Sequence, residues 1–168
     1  MPRATRIRFV RQQGFRGEQA SSCALRYPGL MFQPRLVGLL LLIGIVLQEP
    51  WWFAVLGALL LWGALLPRRN LFDFVHDALL AGRDGRPELG PAPPPRRFAQ
   101  GLAGSLMLVV TLALSAGWQG VAWGVEGFLA AAVGALVFGK FCLGSFLFHH
   151  LRGEGDFARR TAPWASGE

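Results

Sequence analysis

The chain has 168 residues, 52% hydrophobic and 16% charged, with 17 basic against 10 acidic side chains and a formal net charge of +7. A charged fraction so far below the roughly 25% usual in soluble domains points to a membrane. All but one of the bases are arginine, dispersed beside apolar segments rather than gathered into one patch, which argues against nucleic acid as a partner.

Residues 1–30 form a basic arm with Arg3, Arg6, Arg8, Arg11, Arg16 and Arg26, one acid (Glu18) and no apolar periodicity. Met31 reads as a conventional start, and residues 1–28 are expected to lack order. A first apolar run supports a span over about 33–48, and Gln48-Glu49-Pro50 a tight turn into a second over about 51–66. Pro50 suits the first turn of that helix, and Trp51 and Trp52 suit the membrane interface. Pro67-Arg68-Arg69-Asn70 stops it. Asn70 is placed to cap a short amphipathic helix, Leu71–Ala81, with Leu71, Phe72, Val75 and Leu79 on one side and Asp73, His76 and Asp77 in water. Residues 82–97, with Pro93-Pro94-Pro95, read as a polar loop of polyproline character.

From Phe98 to Phe148 only Glu126 and Lys140 carry charge, and the stretch is apolar all round. It is too long for one crossing, since about 20 residues span a bilayer core. The break at Gln119–Gly127 divides it into spans of about 98–117 and 128–148, leaving 153–168 as a polar tail. Arg26 and Arg35, then six arginines of the middle loop, then Arg152, Arg159 and Arg160 all fall on one side; the two remaining turns carry Glu49 and Glu126 and no base. The positive-inside rule therefore puts both termini in the cytoplasm. The expected fold is all-α: a four-helix membrane bundle of two hairpins in a bacterial inner membrane, with a short cytoplasmic amphipathic helix. Gly57, Gly63, Gly101, Gly104, Gly134 and Gly144, with neighbouring alanines, let helices approach closely in the lipid bilayer, within the bundle or against a protein partner or second copy.

One segment carries reactive groups. At i, i+3 and i+7 on an unbroken fourth helix, Cys142, Ser145 and His149 share a face, with Cys142 about 10 Å deeper than His149. Lys140 does not share that face and is expected to reach the headgroups. A lone membrane cysteine is more often a small packing residue. Cys23 and Cys142 form no disulfide framework, adjacent His149 and His150 point about 100° apart, and neither a metal nor a cofactor is expected.

Pro95-Arg96-Arg97-Phe98-Ala99-Gln100 ahead of span three, paired with Phe141-Cys142-Leu143-Gly144-Ser145, resembles a bacterial four-span membrane family, domain of unknown function 4395. The likeness covers about residues 31–152. The resemblance implies a motif Phe-Cys-x-Gly-Cys, a potential dithiol, whose second cysteine is Ser145 here. Without a resolving thiol no internal disulfide can close, although a monothiol can still form a mixed disulfide or a persulfide. The expected function is accordingly an accessory or structural subunit of a membrane complex. The alternative is thiol or persulfide exchange with a cytoplasmic redox or sulfur-carrier partner through Cys142, with Ser145 as hydrogen-bond donor and His149 as acid/base. A small-molecule carrier ranks third, because no buried charge pair is legible in the spans.

Overall fold

A computed structural model describes residues 3–17, 20–80 and 90–165, excepting the side chains of Arg3, Ala20, Ser21, Ala24 and Leu80. The described residues are helical without strands: α1 (Arg3–Gln12), α2 (Ala20–Leu47), α3 (Pro50–Leu65), a 3-10 turn (Pro67–Arg69), α4 (Leu71–Leu80), α5 (Pro94–Ser115), α6 (Gln119–Val137), α7 (Leu143–Leu151) and α8 (Gly155–Thr161). Three stretches among them are long and apolar enough to cross a membrane: Leu25–Leu47 of α2, Pro94–Ser115 and Gln119–Val137. The fourth apolar helix, α3, has 16 residues and a rise of about 24 Å, short of the roughly 30 Å hydrocarbon core.

The core contact is α3 on α5, more extensive than any pairing of α2 with α3. Its cause is glycine. A Cβ on Gly57 would lie 3.0 Å from the Gly104 carbonyl oxygen, and one on Gly104 would lie 2.9 Å from the Gly57 oxygen, so the backbones touch. Phe53, Leu56, Leu60, Met107, Val110 and Leu129 fill the space around this crossing. α2 packs more on α6 than on its sequence neighbour, so the first expected hairpin is splayed rather than tight. The Trp52 indole N–H still ties it, donating to the Leu40 carbonyl at 2.9 Å.

Several expected boundaries move. Pro93-Pro94-Pro95 opens α5 instead of forming a loop: Pro93 occupies the N-cap position (φ −64°, ψ 160°), and Pro94 and Pro95 sit where a helix has no use for an N–H. The rest of that loop, 81–89, lies outside the described residues. The turn between α5 and α6 is only Ala116-Gly117-Trp118, with Gly117 at φ +72°, so Glu126 lies two turns inside α6 rather than in a loop. The fourth span is not continuous to Phe148. The chain leaves the helix after Val137, because Gly139 presses onto the Ala135 carbonyl where a Cβ would sit 2.7 Å away, and Lys140 takes φ +56°. Its ammonium turns back onto the Val137 carbonyl, 6.0 Å from the Tyr27 ring centroid, and does not reach outward.

The basic arm is folded in its described residues. Phe9 and Val10 of α1 are buried with Cys23, Tyr27, Leu30 and Met31 of α2, against Leu136 and Val137 of α6. The tail is folded too: α8 rests on α1 and α7 with Ala158 and Ala162 buried. In α4 the expected division into an apolar and a wet side does not hold. Asp73 and His76 face inward with Phe72, while Leu71, Phe74 and Leu79 are exposed. The Asn70 cap is present as expected, its Oδ1 accepting from the Phe72 N–H at 3.1 Å.

Candidate functional site

Cys142 is not on a helical face but at the N-cap position of α7, in extended backbone (φ −93°, ψ 102°). Ser145 and His149 are one turn apart on the buried face of α7. The packing is set by Gly144, where an added Cβ would lie 2.6 Å from the Ala99 Cβ and 2.7 Å from its Cα, so α7 lies directly on α5. The Ser145 hydroxyl points along this contact to the Pro95 carbonyl at 3.4 Å.

The N-terminal arm closes the other side. The Gln12 side-chain oxygen accepts the Cys142 backbone N–H at 3.2 Å, and the Gln12 carbonyl lies 3.1 Å from His149 Nε2. A carbonyl can only accept, so Nε2 carries a hydrogen. His149 Nδ1 stands 2.7 Å from Glu154 Oε2 and 3.0 Å from an Arg16 nitrogen, and Arg16 pairs with Glu154 in turn. Arg16 and then His149, by hydrogen bonding to it, hold the Glu154 carboxyl down at about 2, against an ordinary value of 4.5.

Both ring nitrogens of His149 are thus occupied, and the structure gives the Cys142 thiol no hydrogen bond to Ser145 or His149. The thiol residue is buried and lines an apolar cavity of about 100 Å³ with Ala99, Leu102, Leu136 and Leu143. The three expected site residues are neighbours, but the contacts they make are those of a latch joining α1, α5, α7 and α8. His150 turns elsewhere, bonded to the Phe146 carbonyl at 3.1 Å.

Two polar clusters were not anticipated. Arg96 donates to Asp73 at 3.1 and 2.5 Å and to Gln33 Oε1 at 2.7 Å; Gln100 donates to the same oxygen at 2.7 Å. All four are buried. Burial pushes the Asp73 carboxyl above its ordinary value, while Arg96 pulls it back. This is the buried charge pair that was not legible in the sequence. The spacing of Arg96 and Gln100 at i, i+4 was the available signal, since it sets both on one face of a helix beginning at Pro94. On the opposite end, Gln48 (φ +52°) donates to both oxygens of Glu126 at 3.1 and 3.0 Å and to the Ile45 carbonyl at 2.8 Å. Trp123 completes the cluster, its indole N–H donating to Gln48 Oε1 at 3.2 Å.

No curated protein and no solved structure matches the chain. A family model described as a domain of unknown function, DUF4395, matches residues 28–152 and takes in Gln33, Asp73, Arg96, Gln100, Cys142, Ser145 and His149. The chain belongs to the DUF4395 family.

Proposed function

We propose that this protein is an accessory or structural subunit of a membrane complex, embedded through α2, α3, α5 and α6 in a bacterial inner membrane with both termini in the cytoplasm. The observation that carries this reading is the outer surface of α6. Gly120, Gly124, Gly127 and Gly134 face open space, with nothing within 4 Å of an added Cβ at any of them. Only 17% of the apolar window of α6 is buried, against 39% for α2 and 33% for α5. Each glycine costs a helix about 0.5–1 kcal/mol relative to alanine. In lipid a row of them allows a second helix to approach closely, the role that Gly57 and Gly104 already fill inside the molecule.

The burial of Cys142 and the partnered ring nitrogens of His149 favour this over thiol exchange. α3 is short for a span, but Trp51 and Trp52 at one end and Arg68 and Arg69 at the other suit a locally thinned bilayer. The test is native mass measurement after extraction in mild detergent, on the wild type and on Gly124→Leu with Gly127→Leu. A stoichiometric partner or second copy bound to the wild type and lost from the folded variant is expected. A wild-type lone monomer, or an undiminished complex in the variant, would sink the proposal.

A further inference from the structure

Some of the arginines pair with carboxylates. Arg96 is taken by Asp73 and Gln33, Arg16 by Glu154, and Arg159 by Asp156. Arg68, Arg69 and Arg97 instead line one cavity of about 580 Å³ at the end of α3, together with Leu65, Leu66 and Pro91, and no carboxylate is among the described residues lining it. The Arg97 Nε–H donates to the Ala64 carbonyl at 2.8 Å, one of the carbonyls that the end of α3 leaves open. That bond fixes the guanidinium plane while its two NH2 groups hydrogen-bond no described residue. The Arg68 and Arg69 side chains are exposed. Beyond Pro67 and Arg68 a neighbouring depression holds Asp73 and Asp77, but these bond to Arg96 and His76.

The cavity's other wall is apolar and open. Leu65 is 72% and Leu66 42% exposed, and exposed Phe74 of α4 lines the neighbouring depression. Trp62, half exposed, marks the same level, its indole N–H donating to the Arg69 carbonyl at 3.0 Å. Three cationic forks beside exposed aliphatic side chains at a helix end match an amphiphile with an anionic head, since guanidinium donors pair with phosphate oxygens while the apolar wall meets acyl chain. The geometry points to a binding site here for the phosphate headgroup of an anionic phospholipid.

The experiment is a titration of the detergent-solubilised protein with phosphatidylglycerol, phosphatidylcholine or inorganic phosphate, reading bound adducts by native mass spectrometry. Wild type is expected to hold phosphatidylglycerol at least about tenfold more tightly than phosphatidylcholine. Each base near a membrane surface contributes about fivefold in affinity. The variant Arg68→Gln/Arg69→Gln/Arg97→Gln is therefore expected to lose about a hundredfold. A charge-matched control, Arg11→Gln/Arg152→Gln/Arg160→Gln, should lose less than about twofold. Because Arg97 also bonds Ala64, Arg68→Gln/Arg69→Gln alone, with side chains bonded to no described residue, should still lose about twentyfold or more. Equal losses in pocket and control variants, no loss in either pocket variant, or displacement of the lipid by millimolar inorganic phosphate would overturn the assignment.

Discussion

Removing Arg96 alone would leave the Asp73 carboxylate buried without its partner, an arrangement that typically costs about 3–5 kcal/mol. Arg96→Met is expected to show that loss in equilibrium unfolding, while Arg96→Met with Asp73→Leu should recover most of it, because the desolvation of both charges disappears together. Equal losses in the single and double variants would show that the pair is not the source. Glu154 offers a second test. Its folded value of about 2 lies below its ordinary 4.5, so its contribution is fully present above 4.5 and is lost as pH falls through 4.5 toward 2. Hydrogen exchange at residues 9–16 should quicken over that window and do so less in Glu154→Gln; an arm whose protection ignores pH would contradict the contact. At this scale the sequence revealed local chemistry and concealed partners. The Asn70 cap follows from residue type and position alone. The burial of Asp73 could not be read, because its partner lies on a helix 23 positions away whose start was mistaken for loop.

Helices are held here by where glycine lies, and the consequences differ from one helix to the next. Gly144→Ala would drive a methyl group into Ala99 backbone, with no flexible side chain to give way, and should cost about 1–3 kcal/mol. Gly134→Ala meets open space and should leave the isolated chain unchanged or up to about 1 kcal/mol more stable. Thermal unfolding in detergent of both variants checks the contrast, and equal effects would refute it. The apolar elements were legible because lipid-compatible composition is a property of each segment by itself. The break after Val137 was not. It depends on the Ala135 carbonyl approaching Gly139 and on Lys140 turning inward, and an apolar run with one lysine looks the same whether or not it is broken. A shared face for Cys142, Ser145 and His149 was inferred from an unbroken helix, so it held for Ser145 and His149 and failed for Cys142.

For the molecule as a whole, the arm, α7 and α8 gather at the end of α6 where the chain leaves Val137, and the Gln48–Glu126–Trp123 cluster closes the opposite end. Protease or reporter mapping is expected to place both termini on one side of the membrane, and opposite sides would refute the proposed four-span arrangement. On the proposed structural reading, Cys142 and His149 join the arm to the bundle through Gln12, Ser145 ties α7 to α5, and both ring nitrogens of His149 have partners. The most direct measurement is maleimide labelling of Cys142 in native membranes, in a Cys23→Ala background where it is the sole thiol. The expected result is no labelling over times that fully label the denatured protein, together with unchanged stability of the complex in Cys142→Ala. Labelling in membranes at the rate of a free thiol would contradict a structural role.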